Sequence, residues 1–315
     1  MRLAVVVLIA ALVAAAAEPS GFTVAALRRD GVLIPFAGYD GKRWSARWTM
    51  PERDPEIPIN LRSVPSRWWG PAGPQETWTA WIDNHAGPTL RVLRPEAIDV
   101  HCVRQVGLRT DYRPSQPAPP SDEQPYPKDG LAVAPPQTVE AIEIIDTRAP
   151  QLDGLMPVLR EAFDRGESAT AESFNHPVPS KTREAIAPQI EAVYAFSQAP
   201  RVYYVESQRT YGLGYALHSW PFRDSSDCGT AFGSGWFARD EKGFRSLDPD
   251  RRMSVRIVPC DKYGASYMLP FGAMRLGTKT YWIVQFSGWD HERYVVLDIG
   301  PKTVDAVINV WGGGC

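Results

Sequence analysis

Cys228 and His291 are the two residues whose types could perform nucleophilic chemistry: an imidazole takes the thiol proton and the thiolate attacks a carbonyl. The competing reading makes Cys228 half of a cystine. Asp290-His291-Glu292 puts hard and soft ligands in a row, but the second His four residues on, which a metalloprotease helix supplies, is missing. Successive strand residues also point to opposite faces, so this triplet reads as a solvated hairpin turn and no metal site is expected. His85, His101, His176 and His218 are isolated and read as surface or core residues. Ser234 lies in Gly233-Ser234-Gly235, which lacks the five-residue nucleophile elbow and reads as a turn or bulge. Glu206, Asp224 and Asp227, near Trp220 and Trp236, could supply the carboxylate pair of a glycosidase, with a separation the sequence leaves open. There is no phosphate loop and no dinucleotide fingerprint, so no cofactor is expected.

The run Ser226-Asp227-Cys228-Gly229 resembles, over those residues, the Asp-Cys-Ser-Gly start of secreted cell-wall peptidases, whose histidine lies tens of residues downstream. The resemblance implies Cys228 as nucleophile and His291 as its base, with the cysteine at a helix N-terminus where the dipole lowers the thiol pKa. The sequence departs from that pattern at once, because Gly229 to Trp236 is glycine-broken and strand-like.

Tryptophan is unevenly placed. Of 11 in the chain, Trp44, Trp48, Trp68, Trp69, Trp78 and Trp81 fall between positions 44 and 81. Trp44, Trp48 and Trp78 have period-two neighbours that suit a buried face, whereas Trp68-Trp69 sits in a Pro-rich stretch without a clean period. Paired exposed aromatics of that kind offer a surface for a carbohydrate, a peptide or an envelope protein.

The N-terminus carries an export signal. Met1-Arg2 is followed by an apolar run over 3–16 and by Ala15-Ala16-Ala17 ahead of Glu18, the small-residue pattern of a cleavage site. The run falls short of the roughly 20 residues that cross a bilayer, so the expectation is a signal peptide over 1–17 and a periplasmic or extracellular protein without a membrane span after cleavage. With 34 basic and 36 acidic residues the net charge is −2, which gives no basic surface for nucleic acid. An exported chain with four cysteines, Cys102, Cys228, Cys260 and Cys315, is expected to carry two disulfides. A hairpin of 229–238 with 252–259 around the polar stretch 240–250 would set Cys228 opposite Cys260 and leave Cys102 for Cys315.

The elements that must position these groups are mostly strands. Asp30-Gly31 and Asp40-Gly41 separate apolar runs at 22–27, 32–36 and 43–49, a hairpin signal. Strands are also expected at 77–82, 89–93, 97–106 and 138–145. Eight of the 29 prolines crowd into 114–136, which reads as a linker or long loop. Leu155, Val158, Leu159, Ala162 and Phe163 follow the helical period, with Pro157 in the first turn and Gly166 as the stop. A second short helix is expected at 181–187. Period-two runs then recur at 190–196, 201–209, 230–238, 253–259, 265–271, 280–287, 293–299 and 303–311. The weak echo of Leu33-Ile34-Pro35-Phe36 in Met268-Leu269-Pro270-Phe271 raises the possibility of repeated blades. The expected fold is mainly β, built of antiparallel meanders, sandwich-like or irregular with propeller-like blades as the alternative, plus two short helices around 155–187. The expected organisation is an N-terminal β-rich region over 18–112, a Pro-rich linker or loop over 113–137, and a mainly-β C-terminal region over 138–315.

Together these point to an exported non-catalytic binding or structural protein of the envelope or extracellular space. A secreted hydrolase, either a Cys/His peptidase or amidase or a glycosidase, is the alternative.

Overall fold

The computed structural model describes residues 21–46, 56–64, 77–100, 103–115, 128–173, 186–196, 198, 201–211, 229–259, 265–288 and 291–314. Three open antiparallel sheets account for most of them. Sheet I holds β1 (Phe22–Arg28), β2 (Val32–Tyr39), β3 (Trp44–Ala46), β4 (Trp78–Ile82), β5 (His85–Leu90), β6 (Val92–Val100), β7 (Val103–Thr110) and β8 (Lys128–Ala134). Sheet II holds β9 (Glu143–Ile144), β10 (Gln189–Ala195), β11 (Val202–Thr210), β12 (Gly229–Asp240), β13 (Gly243–Ser246) and β14 (Ser254–Pro259), with helix α1 (Leu155–Ser173) between β9 and β10 in sequence. Sheet III is the meander β15 (Tyr267–Leu276), β16 (Lys279–Ser287), β17 (His291–Ile299) and β18 (Val304–Gly314).

The layers stack in the order sheet I, sheet III, sheet II, helix, because sheet III is apolar on both faces. Along β16, Tyr281 and Ile283 pack into one cluster with Phe22, Val24 and Ile34 of sheet I. Their neighbours Trp282 and Val284 pack into another with Val202 and Tyr204 of sheet II. The period of two sends alternate residues of one strand to different layers, and burying both faces gives β16 and β17 their near-continuous apolar sequence. On its far side sheet II carries α1, whose Leu159, Ala162 and Phe163 meet Val205, Phe237 and Val255. This is the sandwich-like alternative, with open sheets of eight, six and four strands rather than a ring of four-stranded blades.

The echoed Leu-Pro-Phe segments share one local structure. Val24 pairs with Ala37 and Ala25 with Pro35, which leaves Phe36 as a bulge; Pro270 pairs with Val284 and Gly272 with Ile283, which leaves Phe271 as a bulge. Proline cannot donate to a ladder and is confined within sheets to edges and bulges. Both phenylalanines enter the cluster between sheets I and III.

Four expectations are corrected. The Pro-rich span 113–137 ends in β8, which lies between β1 and β4 in sheet I; the strand Lys128–Ala134 itself contains no proline, and a density averaged over the whole span hides it. Residues 97–106 form two strands, with Val100 paired to Val103. The Asp30-Gly31 turn has positive φ at Gly31 (85°) but not at Asp30, whereas Asp83 (49°) and Asn84 (62°) are both positive without any glycine. The helix does not stop at Gly166 but runs 19 residues to Ser173. A Cβ at Gly166 would run into the Met253 carbonyl oxygen, so the glycine permits close approach of the strand segment rather than ending the helix. Helix α1 is the single α-helix among the described residues, and most of the second helix expected at 181–187 lies outside them. No helix among the described residues is long and apolar enough to cross a membrane.

Two buried polar networks tie the layers. Lys128 on β8 and Glu292 on β17 meet at 2.8 Å with both side chains fully buried. Gln285 also donates to Glu292 at 3.0 Å, and the Tyr294 hydroxyl donates to its other oxygen. Arg209 on β11 donates to Glu167 and Asp164 of α1, each at 2.6 Å, and Tyr211 adds its hydroxyl to Glu167.

Candidate functional site

The period of two that buries Glu292 against sheet I turns Arg293 the other way, towards sheet II. There it lines a cavity of about 370 Å³ between sheets II and III, a size that suits a small ligand. The sheet II wall is built by register. Tyr204 of β11 lies opposite Trp236 of β12, and Glu206 lies opposite Ser234. On the other edge of β12, Ser234 faces Ser254 and Phe232 faces Arg256 of β14. Residues two apart share a face, so Tyr204, Phe232, Ser234, Trp236, Ser254 and Arg256 all reach the cavity.

Aromatic rings form its apolar part. Tyr204 and Trp236 have centroids 4.8 Å apart, tilted by 56°. Phe286 of β16 stands edge-on to Tyr204 at 6.0 Å. Trp236 is held from beneath by buried Trp282, 5.2 Å away and edge-on. Such pairs fix ring orientation and each contributes roughly 0.5–1.5 kcal/mol beyond area burial.

The polar part is dominated by guanidinium groups. Arg293 lies opposite Phe286 in the β16–β17 ladder, and its guanidinium carbon sits 5.7 Å from that ring's centroid. Burial and the Arg256 guanidinium beside it hold Arg293 below the usual arginine range. Besides the Phe286 ring, the Tyr204 hydroxyl favours its charge, and no carboxylate among the described residues pairs with it. Asp248 also lines the cavity, but one of its carboxylate oxygens accepts the Asp250 and Arg252 backbone N–H groups at 2.9 and 3.3 Å. Arg252 pairs with exposed Asp250 at 3.3 Å. One buried hydroxyl at the cavity, that of Ser266, has no hydrogen-bond partner among the described residues, an arrangement that calls for an outside partner; the Tyr204 hydroxyl faces Glu206 and Ser234.

Glu206 backs this wall. It is 2% exposed, and its Oε1 accepts the Met268 N–H at 2.7 Å. Burial pushes its carboxyl up to about 7, against the pull of the Met268 N–H and the Tyr204 hydroxyl and with Glu191 adding repulsion.

Of the residues singled out by sequence, Ser234 and Trp236 line the cavity and Glu206 lies behind its wall. Asp224, Asp227 and Trp220 lie outside the described residues, as do Trp68 and Trp69, all four cysteines (Cys102, Cys228, Cys260 and Cys315) and Asp290. His291 begins β17 and its ring stacks on Trp311, with centroids 6.1 Å apart and planes 4° from parallel. The reading of 290–292 as a solvated turn is corrected, since Glu292 is wholly buried against Lys128. Ser234 sits in mid-strand, not in a turn. Its flanking Gly233 gives room to the helix, because a Cβ there would come 2.8 Å from the Phe163 ring. Trp44, Trp78 and Trp81 of the tryptophan cluster pack into or against the cores of sheet I. The arginines were missed by sequence reading. Arg256 and Arg293 stand far apart in the chain on strands of ordinary composition, and only the register brings them together.

No family model, curated protein or solved structure matches the chain.

Proposed function

We propose that the chain is an exported, non-catalytic binding protein whose ligand is a carbohydrate held in the cavity between sheets II and III. The observation that carries this reading is the aromatic wall of Tyr204, Trp236 and Phe286 beside the serine hydroxyls of Ser234, Ser254 and Ser266 in a cavity of about 370 Å³. The C–H face of a sugar ring is apolar and packs on aromatic faces, while its hydroxyls need donors and acceptors at the rim; this cavity supplies both. Export to the periplasm or beyond rests on the N-terminal charged, apolar and Ala-rich sequence. The same compartment supports disulfides between Cys228 and Cys260 and between Cys102 and Cys315.

The test is a titration of the mature protein with a panel of envelope oligosaccharides, followed by tryptophan fluorescence. Trp236 is half-buried at the cavity, so a bound sugar is expected to change its emission, and Trp236→Ala is expected to abolish binding with the circular dichroism unchanged. Saturable binding that survives Trp236→Ala would place the ligand elsewhere.

One observation favours a second reading. A buried carboxyl held near 7 is of the kind that serves as a general acid, so the secreted hydrolase survives as a glycosidase built on Glu206. Hydrolysis of a bound oligosaccharide that is lost in Glu206→Gln while binding persists would establish it.

A further inference from the structure

The aromatic wall explains the apolar face of a ligand but not the guanidinium pair beside it. Arg293 and exposed Arg256 come from different sheets, β17 and β14, and line one cavity, where the Arg256 guanidinium disfavours the charge of Arg293. Like charges brought together at a part-buried site cost free energy unless something negative sits with them. For Arg293 that group is not supplied by the described protein: its guanidinium is stacked on Phe286, and no carboxylate among the described residues pairs with it. A cation set over a ring face spends no N–H group on that contact, so the guanidinium keeps donors for the bidentate pair that carboxylates match. The Ser266 hydroxyl, without a partner among the described residues, lies at the same cavity and can donate to the ligand's oxygens.

We propose that the cavity selects an acidic sugar, a uronic acid residue whose carboxylate is held by Arg293 together with Arg256 while its ring lies against Trp236 and Tyr204. The proposal rests on the carbohydrate reading above and names its substrate class. A uronate fits better than a peptide carboxylate because the charged group and an apolar face must be satisfied side by side, and a uronic acid carries its carboxylate directly on the ring whose C–H face packs on aromatic side chains. Asp248 also lines the cavity, with one carboxylate oxygen turned to the Asp250 and Arg252 backbone N–H groups.

The experiment is isothermal titration calorimetry of the mature full chain with trigalacturonate, with its methyl ester, which keeps the ring skeleton but removes the charge, and with a neutral-side-chain tripeptide carrying a free C-terminus. The wild type is expected to bind the acid at least tenfold tighter than the ester, with an affinity that weakens as salt rises. Arg293→Gln is expected to bring acid and ester to equal affinity, and Arg293→Lys to restore part of the preference. Should Arg293→Gln fail to fold, the lysine variant and the salt dependence still decide the matter. Equal binding of acid and ester by the wild type, abolished by Trp236→Ala, would overturn the acidic preference and leave the carbohydrate reading standing. Absence of binding to any sugar in the panel would overturn both. Tighter binding of the tripeptide than of trigalacturonate, dependent on Arg293, would overturn the sugar in favour of a peptide carboxylate.

Discussion

Gly313 near the end of β18 lies against Val103 at the start of β7: a Cβ on the glycine would stand 2.8 Å from Val103 Cγ2. Gln105 reinforces the contact by donating to the Gly312 carbonyl at 2.9 Å. Val103 follows Cys102 directly, and Gly313 is two residues short of Cys315. In sheet II, Gly229 pairs with Pro259; each adjoins a cysteine in sequence, Cys228 and Cys260. Both pairs of flanking residues therefore support Cys102–Cys315 and Cys228–Cys260 among the three possible connectivities. Peptide mapping of the mature protein without reductant is expected to yield those two linked peptides and no free thiol. A readily alkylated Cys228 would contradict the pairing and revive the cysteine nucleophile.

The Lys128–Glu292 pair makes a second expectation. Burial pulls Lys128 down to about 8, and Glu292 holds it charged against that pull. Removing one partner strands a buried charge, at a cost of about 3–5 kcal/mol, whereas neutralising both does not. Lys128→Met is expected to destabilise by that amount in urea unfolding. Lys128→Met/Glu292→Gln, whose glutamine can still accept from Tyr294, is expected to recover at least about 1 kcal/mol of it. A double variant as unstable as the single would show that the pair does not couple sheets I and III.

Glu206 sets a pH dependence. Its folded carboxyl titrates near 7 against an ordinary 4.5, so between those values the folded state holds the proton more tightly than the unfolded one. The contribution to stability is full below about 4.5 and is lost as pH rises through 7, up to about 3 kcal/mol. Glu206→Gln keeps an oxygen for the Met268 N–H, so it is expected to flatten the stability profile and exceed the wild type at pH 8. Parallel profiles for the two proteins would contradict the shift. Acidic-sugar affinity is expected to fall over the same range, because a second carboxylate then appears behind Ser234.

Glycine in α1 gives the fourth. In an exposed helix Gly→Ala is worth about 1 kcal/mol of added stability. At Gly166 the new methyl would collide with the Met253 carbonyl oxygen, which is backbone. Gly166→Ala is expected to lower the thermal midpoint, and a rise would show that α1 sits less closely on the segment leading into β14.

The strands of sheets II and III were legible because each is half or wholly buried and its period of two survives in the residues; all eight runs expected after position 189 are present. The central strand β8 was not, since seven proline-free residues lie inside a proline-dense stretch. Nor was the length of α1, because Gly166 reads locally as a stop and its reason, the Met253 carbonyl, is 87 positions away. The cavity was legible only in Ser234 and Trp236 of its lining and in Glu206 behind it. Its charge comes from Arg256 and Arg293, which are unremarkable in sequence and acquire meaning only where β14 and β17 face each other.

The central claim is that an anionic ring ligand seats against Trp236 beside Arg293. Its most direct measurement is the change in tryptophan emission on adding trigalacturonate to the wild type and to Arg293→Gln at neutral pH and low salt. The account expects a saturable change in the wild type and at least tenfold weaker binding in the variant. Identical titration curves for the two proteins, or no change in either, would contradict it.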